Sequence, residues 1–257
     1  MSTSSNPEDV PLELFLKTFS AAHLTRPLPS FDIETTDKVL RSAMERHGVS
    51  VVGLRAAGLV KGWRTSEEIA ARTPSTCDRP FPASLVIDQS ESFRQVVHQL
   101  AQSPWLLVRS LNQINGVIQL NDIDRPPMRM WLFGLITVME LRVNRLIEQT
   151  LPREGWKKYL SPGRLQKAEK LSEECERQGE PRRLVDCLQF ADKGRIISSD
   201  DNLRRLTRFQ TKREVEDFAY DLQMLRNKLA HTLALTGEWS TIVELVNNMA
   251  GFVEARE

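Results

Sequence analysis

One short segment, residues 225–232, holds the side chains best suited to proton transfer beside a phosphate: Arg226, Asn227 and His231. A histidine titrates near neutral pH and can transfer a proton, and the planar guanidinium of an arginine fits the oxygens of a phosphate. On an α-helix, Asn227 and His231 share a face, whereas Arg226 lies roughly 140° around the axis from His231. The spacing predicts that Asn227 orients the imidazole. Arg226 can act with them if its side chain extends or if the helix ends at His231.

These residues also have a purely structural interpretation. Arg226 and His231 can stabilise the negative end of their helix and its last carbonyls without any substrate. Glu140 and Arg145, earlier in the chain, are secondary candidates for supporting a site, although both can equally be surface charges.

The segment needs a helical framework, and the sequence after Pro126 and Pro127 predicts one. Residues 128–149 form a long, largely apolar pattern that is typical of a central core helix. Thr211 and Glu214 have the spacing of a capping box, which predicts a helix from there to about residue 235, closed by Gly237. Other helices are expected at residues 161–178, 182–190, 202–209 and 241–253. No strand is expected after residue 125.

The stretch Leu225-Arg-Asn-Lys-Leu-Ala-His-Thr resembles the Arg-Asn-x-x-x-His signature of HEPN domains, helical modules that dimerise and in many members cleave RNA without a metal. The resemblance covers about residues 128–257. It implies that Arg226 stabilises the charge of a phosphorane, that His231 is a general acid or base, and that Asn227 orients the imidazole or contacts the phosphate. This part of the chain has one histidine, so an acid and a base from histidine require two chains. A homodimer that only binds, without cleavage, is the alternative.

Residues 18–125 carry one pattern twice. Each copy is predicted to contain a strand, a helix, a strand, a turn, a strand and the start of a helix, with turns at residues 57–58 and 112–113. Ser90 is the expected N-cap of the helix that ends near Leu100. An internal duplication of this kind indicates that neither half buries its sheet well alone.

The two copies end in Gly62-Trp-Arg-Thr-Ser-Glu-Glu-Ile and Gly116-Val-Ile-Gln-Leu-Asn-Asp-Ile. These segments resemble the last strand and helix start of CBS repeats, whose pairs bind adenosine nucleotides in the cleft between repeats. In that family an Asp accepts from the ribose hydroxyls and a Thr or Ser contacts phosphate. The resemblance therefore implies Thr65 and Glu68 in the first repeat and Asp122 in the second. Gln119 stands where the hydroxyl is expected, and Glu68 stands where the Asp is expected.

A CBS-like pair without a ligand remains an alternative. Thr65 with Glu68 is itself a helix capping box, and Asp122 can stabilise a helix start through the partial positive charge there. Such a pair would be structural or would hold a dimer together.

Composition and charge exclude several classes of function. The net charge is +1, with 40% hydrophobic and 27% charged residues, so no overall field predicts a nucleic acid or membrane partner. Three cysteines at unrelated spacings argue against a disulfide framework and for a reducing compartment. Four scattered histidines argue against a zinc site, and no glycine-rich phosphate loop is present. The polar N-terminus has no signal-peptide pattern, and no apolar stretch is long enough to span a membrane.

Together these patterns and the two resemblances predict an α+β protein with a flexible tail at residues 1–17, a CBS-pair sensor domain at 18–125 and an all-α HEPN-like bundle at 126–257. The expected function is that of a cytoplasmic, homodimeric, metal-independent endoribonuclease acting on single-stranded RNA, regulated by the sensor domain as a stress or defence effector. It would require no cofactor for catalysis. The alternative is a non-catalytic, dimeric regulatory module that binds an adenine nucleotide. A partner protein that inhibits the activity is a further expected interaction.

Overall fold

A computed structural model describes residues 18–73 and 80–254, with side chains up to residue 249. The expected tail, residues 1–17, and Cys77 lie outside the described residues. Contacts within the chain divide it into two units, Met1–Trp131 and Leu132–Glu257. The boundary falls inside a long helix that begins at Pro126.

The N-terminal unit contains two copies of one arrangement, preceded by a two-residue strand, β1 (Arg26–Pro27). The first copy consists of β2 (Ser30–Asp32), α1 (Asp37–His47), β3 (Val51–Ala56), β4 (Leu59–Thr65) and α2 (Ser66–Ala70). The second copy consists of β5 (Val86–Asp88), α3 (Phe93–Leu100), β6 (Trp105–Ser110), β7 (Gln113–Gln119) and a 3-10 turn, Leu120–Asp124. The predicted internal duplication is therefore confirmed.

The strands form two sheets with the orders β2-β3-β4 and β1-β7-β6-β5. In each copy the first strand runs parallel to the second, which forms an antiparallel hairpin with the third. Both hairpins have a β-bulge at the same place, between Leu54 and Arg55 in one and between Val108 and Arg109 in the other. A bulge bends the strand and increases its twist, so the two copies share their curvature as well as their topology.

The hairpin turns are set by residues with positive φ. Ala57 and Gly58 have φ of 50° and 78°, as a two-residue turn of type I′ requires. In the second hairpin the corresponding residues are Leu111 and Asn112, with φ of 49° and 61°. The prediction of a turn at residues 112–113 was therefore wrong by one residue, because the central pair includes the exposed Leu111 instead of Gln113.

The N-cap of α3 is Ser92, not Ser90. Ser92 Oγ accepts a hydrogen bond from the Gln95 amide at 3.4 Å, and the helix begins at Phe93. Ser90 instead donates its hydroxyl and its amide to the Asp88 carboxylate at 2.7 and 3.0 Å. These two bonds hold the pKa of Asp88 below its usual value.

One apolar core joins the two copies. Its buried residues come from α1, β3, β4 and α2 of the first copy and from β5, β6 and β7 of the second. Strand β1 strengthens this connection. It lies in the segment that precedes β2, residues 18–29, called the leader below, but it pairs antiparallel with β7, with Arg26 facing Val117. A Cβ added at Gly116 would lie 2.3 Å from Thr25 Cγ2, so glycine is required where the leader crosses β7.

The described part of the C-terminal unit is helical throughout. It consists of the remainder of α4 (Pro126–Thr150) followed by α5 (Pro162–Arg177), α6 (Phe190–Ser199), α7 (Asp201–Arg205), α8 (Lys212–Ala230) and α9 (Trp239–Glu254). The long helix is central, as expected, with the following residues buried: Leu132, Leu135, Ile136, Met139, Val143, Leu146 and Ile147. A 3-10 turn, Leu184–Cys187, connects α5 to α6.

The prediction of a helix at residues 182–190 was wrong. Only a 3-10 turn forms there, and the helix runs from Phe190 to Ser199 instead. Asp192 caps its start by accepting the Gln189 amide at 3.3 Å. Gly194 lies in the middle of this helix because a Cβ there would be 2.4 Å from the Cβ of Ala219 on α8.

Helix α8 begins as predicted and ends earlier. Thr211 and Glu214 form the expected capping box, with hydrogen bonds of 3.2 and 3.4 Å. The helix ends at Ala230, however, because Thr232 adopts a φ of 52° and the Leu233 amide donates to the Lys228 carbonyl at 3.1 Å. This is the hydrogen-bond pattern of a Schellman motif, so Gly237 does not close the helix.

Candidate functional site

A cleft of about 630 Å³ lies between the two copies of the N-terminal unit. This volume is in the range of small-molecule sites. Residues from both copies line it, the first copy contributing α1, the segment before β3 and the start of α2. Its apolar walls are formed by Met44, Val49, Ile69, Pro104 and Leu120.

Polar groups lie at the rim of this cleft. Arg41, Ser66 and Asn121 are exposed and line it. Arg41 makes no hydrogen bond or ion pair with any other residue that the structure describes. Glu45, one turn further along α1, adds a negative charge to the same rim. The cleft therefore offers an uncommitted guanidinium beside an apolar interior.

Gln119 forms the inner wall and joins the two copies. Its Oε1 accepts hydrogen bonds from the Ser50 amide at 2.7 Å and from the Ser50 hydroxyl at 2.8 Å. Its Nε2 donates to the Gly48 carbonyl at 2.8 Å. The glutamine that stands in place of the expected hydroxyl is thus fully used in connecting the repeats, which accounts for a long amide side chain at this position.

Thr65 and Glu68 are hydrogen-bonded to each other. Thr65 Oγ1 accepts from the Glu68 amide at 3.2 Å, and Glu68 Oε2 accepts from the Thr65 amide at 2.9 Å. Both are half-buried, and neither lines the cleft, whereas their neighbour Ser66 does. In this structure the pair caps α2 and places Ser66 at the rim.

Asp122 is buried and has partners within the protein. Its Oδ2 accepts the Gln119 amide at 2.8 Å, while its Oδ1 lies 3.1 Å from Nε of Arg26 and 3.9 Å from Nη1 of Arg125. The carboxylate does not line the cleft, although Gln119 and Asn121 beside it do. Arg26 was missed in the sequence because its pairing with Asp122 depends on the long-range contact of β1 with β7.

In the C-terminal unit, Arg226, Asn227 and His231 are all exposed near the end of α8. His231 is the residue at which the helix ends, and its amide donates to the Asn227 carbonyl at 3.0 Å. This helix end is one of the two conditions under which Arg226 can act with His231. Within the described residues, no side-chain hydrogen bond or ion pair engages these three residues, so all three are accessible to a ligand.

A buried ion pair lies in the same unit. Lys193 on α6 is 1% exposed, and its Nζ is 2.6 Å from Glu140 Oε1 on α4. Burial lowers the pKa of Lys193, Glu140 and Asp186 act in the opposite direction, and the nearby Arg226 lowers the pKa further. Glu140 is therefore committed to Lys193, a partner that the sequence did not reveal because α6 was not predicted.

Asp221 is an acidic residue on α8, the helix whose C-cap is His231. Burial raises the pKa of Asp221, and the negative charges of Asp217, Glu244 and Glu238 raise it further. Helix α8 therefore carries a cation at Arg226 and, five and nine residues earlier, the carboxylates of Asp221 and Asp217, which would repel a polyanion.

The described residues lack both a metal-binding cluster and a membrane-spanning helix. The ranges 18–73 and 80–254 contain no group of three or more His, Cys, Asp or Glu residues placed to hold a metal ion. No helix in those ranges has the length and apolar character needed to cross a membrane.

Comparison with known proteins gave matches to solved structures only. No family model matches the chain, and no curated protein matches it. The CBS domain pair of protein MJ0100, in complex with 5′-methylthioadenosine and S-adenosyl-L-methionine, is 15% identical with a TM-score of 0.36, covering 42% of this chain and 98% of its own. The CBS domain of a bacterial CNNM/CorC family Mg²⁺ transporter in complex with ATP is 13% identical with a TM-score of 0.35, covering 45% and 92%. Protein MJ1004 from Methanocaldococcus jannaschii is 12% identical with a TM-score of 0.37, covering 93% and 100%. The matches to CBS domain pairs lie in the N-terminal part of the chain.

Proposed function

We propose that this protein is a regulatory protein whose N-terminal unit binds an adenine nucleotide in the cleft between its two repeats. The observation that carries the proposal is the cleft of about 630 Å³, with apolar walls and the uncommitted Arg41 at its rim. An adenine ring packs against Met44, Ile69 and Leu120, and the phosphate meets the guanidinium of Arg41. The resemblance of the repeat ends to CBS repeats favours a nucleotide over other small anions.

The residues implied by that resemblance have distinct roles in this proposal. Thr65 and Glu68 fix the start of α2 and so hold Ser66 in the cleft. Asp122 accepts hydrogen bonds from the ribose hydroxyls. Its carboxylate must therefore give up its contact with Arg26 when the nucleotide binds. The helical unit is the output of the regulated protein, acting as a homodimer.

Replacing Arg41 with Met should weaken AMP binding by about tenfold or more, because a charge-assisted hydrogen bond contributes roughly 1.5–3 kcal/mol. Isothermal titration calorimetry with the full chain measures this. Arg46→Met is the matched control, because Arg46 is exposed on the same helix and does not line the cleft. Equal affinities for the wild type and Arg41→Met, or no AMP binding up to millimolar concentration, would contradict the proposal.

A second candidate function is metal-independent endoribonuclease activity, which is favoured by the joint exposure of Arg226, Asn227 and His231 at the end of α8. One His231 removes the proton from a ribose 2′-hydroxyl, whose oxygen attacks the adjacent phosphorus. The bond to the 5′-oxygen breaks, and the His231 of a second copy protonates that leaving oxygen. Arg226 stabilises the charged phosphorane, and Asn227 orients the imidazole. The products are a 2′,3′-cyclic phosphate and a 5′-hydroxyl end.

Replacing His231 with Ala should reduce RNA cleavage by about a hundredfold or more, the range seen when a general acid or base is removed. The assay uses purified protein with chelator on structured and unstructured RNA. His98→Ala is the control, because His98 is exposed in the N-terminal unit. Cleavage by His231→Ala at the wild-type rate would reject the assignment, as would a wild-type protein that cleaves neither RNA.

A further inference from the structure

Asp122 is a buried carboxylate neutralised by a side chain from the leader of the opposite repeat. Its side chain is 5% exposed, and Arg26 Nε lies 3.1 Å from Oδ1. The other oxygen, Oδ2, already accepts the Gln119 amide. Among the described residues, Arg125 is the second cation near Oδ1, at 3.9 Å. Any ligand hydroxyl that reaches this carboxylate must therefore compete with Arg26.

The guanidinium of Arg26 lies beside the cleft. Its Nη1 donates to the His47 carbonyl at 3.4 Å, and the next residue, Gly48, lines the cleft. Gln119, whose amide is bound to Asp122, lines the cleft as well. The Arg26 side chain is 30% exposed and does not line the cleft in this structure, so contact with a ligand requires it to turn toward the cleft while β1 keeps its pairing with β7.

We propose that Arg26 is a specificity-determining residue of this cleft: a ligand with both vicinal hydroxyls and a phosphate replaces the Arg26–Asp122 ion pair with two contacts, hydroxyls to Asp122 and phosphate to Arg26. The inference rests on the proposed nucleotide-binding function. The exchange conserves charge, because each group finds a new partner when the old pair separates. A nucleoside without phosphate would displace Arg26 and leave its cation without a partner. Inorganic phosphate alone would leave the buried carboxylate without one.

Arg41 cannot produce this coupling. It lies on α1, is exposed, and has no carboxylate partner among the described residues. It therefore attracts any anion in the cleft and does not weaken the binding of a ligand that has no negative charge. Arg41 thus adds to the affinity for AMP, whose phosphate contacts both guanidinium groups, whereas the penalty on the nucleoside comes from Arg26, the cation that the ligand must displace.

The test compares adenosine and AMP binding to the wild type and to Arg26→Met by isothermal titration calorimetry on the full chain. The wild type should prefer AMP by about tenfold or more. Arg26→Met should bind adenosine about tenfold more tightly than the wild type does, since Asp122 then has no internal competitor, and its preference for AMP should shrink. The control is Arg55→Met, which removes the exposed Arg55–Asp32 pair and should leave both affinities unchanged.

Thermal unfolding of each variant shows whether it is folded at the temperature of the titration. If Arg26→Met is not, Arg26→Gln provides the same test, because glutamine removes the positive charge while its amide can still donate a hydrogen bond; adenosine should again bind more tightly than to the wild type. If the wild type and the folded Arg26 variants prefer AMP over adenosine to the same extent, this inference is wrong, while the proposed nucleotide-binding function stands. Absence of binding of either ligand to any of these proteins would overturn the proposed function and this inference with it.

Discussion

Replacing Glu140 with Ala should destabilise the helical unit by about 3–5 kcal/mol, the usual cost of removing one partner from a buried ion pair. The reason is that Lys193 is 1% exposed and has its ion-pair contact with Glu140 at 2.6 Å. Without that carboxylate, the ammonium group must remain buried without a close counter-charge or lose its proton. Urea unfolding of the full chain, followed by far-UV circular dichroism at pH 7, measures the loss.

The cost should depend on pH in a defined direction. Because the pKa of Lys193 in the folded state is lowered from 10.5, the burial penalty is fully present below the folded pKa. It decreases as the pH rises from that value toward 10.5, since the folded state loses its proton first. Glu140→Ala removes a group that raises the pKa of Lys193. In the variant, Lys193 should therefore lose its proton at a lower pH, and the loss of stability caused by the substitution should be smaller at alkaline pH than at pH 7.

Two variants make this result specific. Glu148→Ala removes a more exposed carboxylate from the same helix, one that pairs with Arg183, and should cost under about 1 kcal/mol. Lys193→Met removes the buried cation and leaves Glu140, whose side chain is 21% exposed and can be hydrated, so this variant should lose less stability than Glu140→Ala. A Glu140→Ala protein no less stable than Glu148→Ala would show that the pair is unimportant for stability.

Replacing Gly194 with Ala should destabilise the protein by about 1–3 kcal/mol, although helix propensity alone predicts a gain of about 1 kcal/mol. The new Cβ would lie 2.4 Å from the Cβ of Ala219, and neither group is flexible enough to move aside. Helices α6 and α8 must separate, which weakens their packing. The sign of the change, measured by urea unfolding, decides between the two effects.

Gly163→Ala is the matched control for this prediction. Gly163 lies in the first turn of α5, and a Cβ there meets nothing within 4 Å. This substitution should therefore be neutral or stabilise the protein by up to about 1 kcal/mol. The double variant Gly194→Ala with Ala219→Gly should recover part of the lost stability, because one of the two colliding methyl groups is gone. No recovery would indicate that the contact with Ala219 is not the cause.

Features of this fold that depend on neighbouring residues could be predicted from the sequence. The duplication follows from alternation, turn residues and helix starts that recur in both copies, and the Thr211–Glu214 cap depends on residues three apart. Small errors arose where two local signals competed. Ser90 and Ser92 are both suitable caps, and the choice is made by Asp88, which engages Ser90.

Features that depend on distant residues could not be predicted. Helix α6 contains a glycine and a buried lysine, which together resemble a surface loop; both are explained by partners on other helices, Ala219 and Glu140. The same limit applies to the candidate sites. Thr65, Glu68 and Asp122 could be identified as candidates from the sequence around them. The ion pair between Asp122 and Arg26 could not, because it depends on the pairing of β1 with β7.

That strand pairing has a consequence for how the protein is made. Arg26 and Val117 face each other across β1 and β7 but are roughly ninety residues apart in the chain. During synthesis the leader leaves the ribosome long before its partner strand exists, at a rate of roughly 5–20 residues per second. For several seconds the nascent first repeat therefore has a leader without a sheet to join, and the Arg26 side chain without its carboxylate. The ion pair beside the cleft is among the last contacts of this unit to form, so a chain stopped before residue 113 would lack both the closing strand and the inner wall of the cleft.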